Sequence, residues 1–212
     1  MTRLMSGFYT ISEWVMRLAY LNILWVCFTL IGLIVFGFFP ATAATFAVTR
    51  KWVMGESDIP VFKTFWSTYK SEFLKSNLLG LMLAAIGCIL YLDFRISVDS
   101  ASIIGKILFI PLLVLIFLYS LLLLYVFPLF AHYDIKVFHV IKNALLMMVL
   151  HPLSTIMMVI SNLVIYFAMT LLPGLIPFFG VSSWSFLLTW CAHYAFVKNQ
   201  QKKKSSQNGD AA

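Results

Sequence analysis

The chain has 212 residues, 62% hydrophobic and 11% charged, with a formal net charge of +7. A soluble domain carries about 25% charged residues, so this chain has too few to cover a water-facing surface, and lipid must be the solvent for most of it. In so apolar a chain the positive balance belongs to basic loops rather than to a nucleic-acid surface, and Cys27, Cys88 and Cys191 have neither metal-ligand spacing nor an even number for full pairing.

Five runs reach the ~20 mostly apolar residues that a crossing needs. They are 18–39, 77–94, 107–130, 153–172 with an approach through 144–150, and 175–197, interrupted by Pro177 and Gly180. The runs are continuous rather than alternating, which selects helices over a barrel. The expected fold is all-α: a polytopic membrane bundle of about five transmembrane helices, forming one domain over residues 1–198. Residues 40–76 form a cytoplasmic amphipathic insert within it. The Lys-rich segment 199–212 is expected to be a disordered cytoplasmic tail.

Lys and Arg set the orientation. With five crossings, the loops at 50–75 and 136–142 share a side with the tail and carry eleven of the fifteen basic residues. The other side holds Arg3, Arg17, Arg95 and Lys106. The N-terminus is therefore expected outside and the C-terminus inside, in a bacterial cytoplasmic membrane.

The junction "FFPATAATFAVTRKW" at 38–52 looks at first like a cleavage site. The apolar run before it exceeds the 7–15 residues of a secretory signal core, and basic residues follow it, so the first span is expected to be retained. Pro40 is expected to end that span and open a short helix to residue 54. Along that helix Ala41, Thr45 and Thr49 recur every fourth position, as do Ala43 and Ala47, with Ala44 beside them. Small residues at this spacing allow close helix packing, on the bundle itself or on a partner. Arg50 and Lys51 then reach the lipid headgroups, and Ser57 or Asp58 is available to cap the helix that follows.

That next helix carries Phe62, Phe65, Trp66, Tyr69 and Phe73 on one face, with Lys63, Thr64, Lys70, Ser71 and Lys75 largely elsewhere. Such a stripe suits an interfacial helix, either an in-plane connector or a docking element. "FLKSNLLGLML" at 73–83 and "VIKNALLMMVL" at 140–150 share a pattern, and Phe39-Pro40 matches Phe127-Pro128, which suggests a duplicated hairpin.

Groups able to do chemistry are few. Asp93 and Arg95 flank the end of one span, and Asn22 and Asn162 suit interhelical hydrogen bonds. The four histidines lack a metal-binding pattern, and no nucleotide loop, nucleophile elbow or CxxC is present. No catalytic, cofactor or metal residue is assigned, and an enzyme is not expected.

"FPATAATFAVTRKW", "VFKTFWSTYKSEFLKSNLLG", "YVFPLFAHY" and "KNALLMMVLHPLST" together resemble the YesL family of bacterial membrane proteins, over about residues 6–198. The resemblance implies a small multi-pass protein whose genes neighbour carbohydrate ABC-importer permeases. From it follows the expectation of a non-enzymatic accessory or regulatory partner of such an importer, in contact with membrane lipids and possessing no nucleic-acid role. The alternatives are an autonomous small-solute carrier, for which a polar cavity near the midplane is the discriminating feature, and a membrane-stress or envelope-organising protein.

Overall fold

A computed structural model describes the backbone of residues 2–99, 103–133 and 135–209, and the side chains of 8–98, 107–133 and 135–194. Eight helices follow one another among the described residues: α1 Thr2–Ile31, α2 Val35–Val53, α3 Val61–Ser71, α4 Phe73–Asp99, α5 Ile103–His132, α6 Val137–Leu150, α7 Pro152–Leu171 and α8 Ile176–Gly209, with a 3-10 turn at Pro173–Leu175. Among the described residues there is no strand. Five of the described stretches are long and apolar enough to cross a membrane: Phe8–Ile31, Phe73–Val98, Ile107–His132, Pro152–Leu171 and Pro173–Tyr194. The backbone of 199–209 continues α8. Gln and Lys are good helix formers once a helix is already running. Residues 210–212 lie outside the described residues.

The expected first span, 18–39, is not one helix. It begins earlier, in α1, and the chain reverses at Gly32–Ile34, where Leu33 (φ 57°) and Ile34 (φ 62°) are left-handed. Gly37 makes this reversal possible, because a Cβ there would fall 2.6 Å from the Thr29 carbonyl oxygen and 2.7 Å from that of Phe28. The result is an antiparallel hairpin along most of both helices. Gly37 meets the end of α1, Trp25 Nε1 donates to Thr42 Oγ1 at 3.0 Å, and Trp14 packs edge-on against Trp52.

Pro40 therefore lies inside α2 and starts no new helix. A proline here leaves the carbonyl four residues earlier, that of Phe36, without its helical donor. Asn77 Nδ2 of α4 donates to that carbonyl at 3.0 Å. Neither Ser57 nor Asp58 caps α3. The N-cap is Pro60, with no side-chain hydrogen bond, and Asp58 is held by Arg17 instead.

Helix α2 sits at the centre, touching α1, α3, α4, α5 and α8. Its small residues lie where the neighbours come closest: Ala41, Ala43, Ala44, Thr45 and Thr49 are all buried, while Ala47 is half-buried. The threonine hydroxyls return to the helix's own carbonyls, Thr45 to Ala41 and Thr49 to Phe46, so burial leaves them satisfied. On one side of α2 a core gathers Leu21, Leu24, Phe28, Trp52, Phe65 and Tyr69. On the other, a larger core gathers Phe46 with residues of α4 to α8.

Helices α4 and α5 form a second hairpin, with Phe94 beside Phe109 and Tyr119 Oη donating to the Leu83 carbonyl at 2.7 Å. Helices α7 and α8 form a third, closed by the 3-10 turn. The two segments matched in the sequence fall on unlike elements, since 73–83 opens the long α4 whereas 140–150 completes the short α6. What recurs is an order of elements: a long helix, a short one packed on it, then a long one (α2–α3–α4 and α5–α6–α7).

Candidate functional site

Where α2, α3 and the end of α5 meet, the structure leaves an open recess of about 530 Å³. Arg50 and Lys51 project from the last turn of α2, and Lys63, Thr64, Ser67, Thr68 and Ser71 from α3. Residues 64, 67, 68 and 71 stand at i, i+3, i+4 and i+7, so their hydroxyls form one face of α3. Phe130, His132 and Tyr133 from the end of α5 and Glu72 from the end of α3 complete the lining. Glu72 is engaged by Lys75, 3.7 Å away.

The opposite face of α3 holds the aromatic stripe read from the sequence. Phe65 and Tyr69 are buried, Phe62 and Trp66 are exposed, and all four ring systems lie against Phe28 of α1. Phe73 packs edge-on against Tyr69. The Tyr69 phenol donates to the Phe28 carbonyl at 3.3 Å, and burial pushes its pKa up. Lys70 lies over the Trp66 ring, 4.8 Å from its centroid, away from the recess walls. The aromatic face thus anchors α3 and turns its hydroxyl face toward α2. The sequence reading named the first face and passed over the second, although the same helical spacing marks both.

Arg50 and Lys51, expected at lipid headgroups, line this recess. Arg50 Nη1 donates to the Ala131 carbonyl at 3.0 Å, tying the ends of α2 and α5 together. Its Nε is buried and meets no acceptor, a condition that costs about 1–3 kcal/mol in a closed interior.

Elsewhere most of the interior polar groups described are closed on one another or on their own helix, with Thr29 Oγ1 and Trp52 Nε1 as buried exceptions. Asn22 is 1% exposed. Its Oδ1 accepts from the Val181 and Ser182 N–H groups at 2.9 and 3.0 Å, and its Nδ2 donates to the Pro177 carbonyl at 2.7 Å. Val181 and Pro177 are i and i−4 partners in α8, so the amide takes the place of one rung of that helix. Thr49 and Thr189 share a hydrogen bond of 3.2 Å, Tyr125 and Thr155 one of 3.0 Å, and Trp184 Nε1 donates to Asn162 Oδ1 at 3.0 Å. Asn22 and Asn162 both bridge helices. Thr189, Ser185 and Ser182 of α8 were missed, because a buried hydroxyl bonded to its own helix leaves no mark in hydropathy. Among the described residues no three His, Cys, Asp or Glu side chains converge as a metal site.

Comparison with known proteins gives one family, described as "Protein of unknown function, DUF624", which matches residues 18–94. That stretch contains α2 and α3, two walls of the recess. The chain is 46% identical to uncharacterized protein YteU of Bacillus subtilis (strain 168), over 84% of this chain and 78% of YteU. It is 38% identical to uncharacterized protein YesV of the same organism, over 94% of this chain and 96% of YesV. To uncharacterized protein YesL it is 34% identical, over 95% of each chain. No solved structure matches.

Proposed function

The chain belongs to the YesL-like DUF624 family, and from that premise we propose that it is a non-enzymatic membrane subunit accessory to a carbohydrate ABC importer. It docks on the permease with the recess between α2, α3 and α5 as its contact region. The observation that carries this reading is the distribution of polar groups. Most of those inside the bundle bond to one another or to their own helix, while the recess lined by Arg50, Lys51, Lys63 and the α3 hydroxyls lies at the end where α2 and α5 finish. A carrier needs polar groups facing a passage near the midplane, whereas Asn22, Thr49, Thr189, Tyr125 and Thr155 are engaged within the protein.

The same arrangement supports an orientation. Arg17 bonds to the Ser57 carbonyl and to Asp58, so the first loop lies beside the early part of α1. Helix α8 runs antiparallel to α1, with Val181 at Asn22 and Phe186 at Trp14. Both termini thereby leave from the end that holds the recess. Segments at that end carry thirteen of the fifteen Lys and Arg residues, all but Arg95 and Lys106. We therefore place both termini and the recess in the cytoplasm of the bacterial cell. This proposal differs from the expectation of an external N-terminus because it counts α2, which runs back along α1, as a sixth passage beside the five long apolar helices.

Photo-crosslinking tests the docking reading. A crosslinking side chain at Ser67 is expected to capture a carbohydrate-importer permease subunit in native membranes, whereas one at Val164, exposed on α7, is not. Absence of any permease adduct from Ser67 in cells that express the importer rejects the importer role.

A further inference from the structure

Three cations, Arg50, Lys51 and Lys63, line the recess. Among the described residues neither Arg50, Lys51 nor Lys63 meets a carboxylate. Arg50 is also held in one orientation. Its Nη1 is fixed by the Ala131 carbonyl, which leaves the Nε edge of the guanidinium, and Nε is the buried atom that lacks an acceptor. That edge offers two parallel N–H donors to two oxygens of one anion. Helix α3 opens beside it with no side-chain cap, so the first N–H groups of α3 add partial positive charge. The hydroxyls of Thr64, Ser67 and Thr68 extend the donor set along the wall, while that of Ser71 donates to the Thr68 carbonyl at 3.3 Å.

We propose that this recess binds a phosphate group, with Arg50, Lys51 and Lys63 around its oxygens and the α3 hydroxyls along the moiety it is esterified to. A phosphate fits better than a lone carboxylate because it presents oxygens in several directions and can carry two charges, which answers three converging cations. A cavity of about 530 Å³ admits the phosphate with a polar substituent of glycerol or monosaccharide size. Two sources share this chemistry: the headgroup of an anionic phospholipid and a soluble phosphate or phosphate ester. The inference rests on the recess itself and not on the importer reading, so failure to crosslink a permease leaves it standing.

The test uses the full chain, purified in a neutral detergent, with two probes: inorganic phosphate and phosphatidylglycerol in nanodiscs of otherwise zwitterionic lipid. Binding is read by native mass spectrometry and by the shift in melting temperature. Wild type is compared with Lys51→Gln, Lys63→Gln and the control Lys70→Gln. Lys63 is exposed, so its substitution leaves the fold intact even where Lys51→Gln does not. Binding is expected to weaken about tenfold or more in the Lys51 and Lys63 variants, the loss of one charge-assisted contact, and to stay unchanged in Lys70→Gln. A response to phosphatidylglycerol alone identifies a lipid headgroup, and a response to inorganic phosphate identifies a soluble ligand. If neither probe binds, or if the Lys63 variant binds both as wild type does, the proposal is overturned.

Discussion

Asn22 holds α8 through three hydrogen bonds, and its removal should be among the costliest polar substitutions in the protein. Interhelical hydrogen bonds in membrane proteins are worth ~0.6 kcal/mol on average and up to ~1.7 each. Three therefore give about 2 kcal/mol, with a ceiling near 5. In Asn22→Ala, Val181 N–H and the Pro177 carbonyl can pair again by closing their own rung of α8, which recovers part of the loss. The small cavity left by the amide works the other way. The expected cost is ~2–3 kcal/mol, against ~0.5 kcal/mol for Asn162→Ala, which removes one bond at an exposed position. The assay is reversible unfolding in mixed micelles with increasing sodium dodecyl sulfate, followed by tryptophan fluorescence. Trp184, on α8, lies close enough to report loss of α8 packing. Asn22→Ala within about 0.5 kcal/mol of wild type, or no more costly than Asn162→Ala, refutes the idea that the amide clamps α8.

Four further substitutions probe the packing around α2. Gly37→Ala puts a methyl group against backbone carbonyls that cannot rotate away, and should cost ~2–3 kcal/mol in the same assay; a neutral result means the reversal at 32–34 is looser than described. Ala44→Leu and Thr45→Leu enlarge positions that are fully buried, and should each lower stability by ~1–3 kcal/mol. Lys51→Gln, at the recess wall, should change stability by less than about 0.5 kcal/mol, and an equal loss from all three contradicts the packed face.

The long apolar helices α4, α5 and α7 are legible because each is a continuous apolar run, and the small-residue face of α2 is legible because its spacing is helical. The reversal at Gly32–Ile34 is not. Leu33 and Ile34 are apolar and unlike the Asn, Asp or Gly that normally take left-handed geometry, so a hydropathy scan continues straight through them. The available signal was length. From Phe8 to Val53 the apolar character runs for far more residues than one passage needs, and Gly32 and Gly37 bracket the place where it folds back. Pro40 misled for a local reason, since its helix-breaking effect is answered by Asn77, about forty residues away in sequence. The recess was half visible. The aromatic face of α3 stands out, but its hydroxyl face gains meaning only once Arg50 and Lys51 are brought opposite it, which requires α2 to run back along α1.

Docking on the permease as proposed requires the recess to lie on the cytoplasmic side, together with both termini. In a variant without native cysteines, single cysteines at Ser67, at Glu56 in the first loop and at Val98 near the end of α4 can be challenged with a membrane-impermeant maleimide. In intact cells Val98→Cys should label while Ser67→Cys and Glu56→Cys stay protected, and inside-out vesicles should reverse the pattern. Labelling of Ser67→Cys from outside intact cells contradicts the placement of the recess and, with it, the proposed docking on the cytoplasmic face.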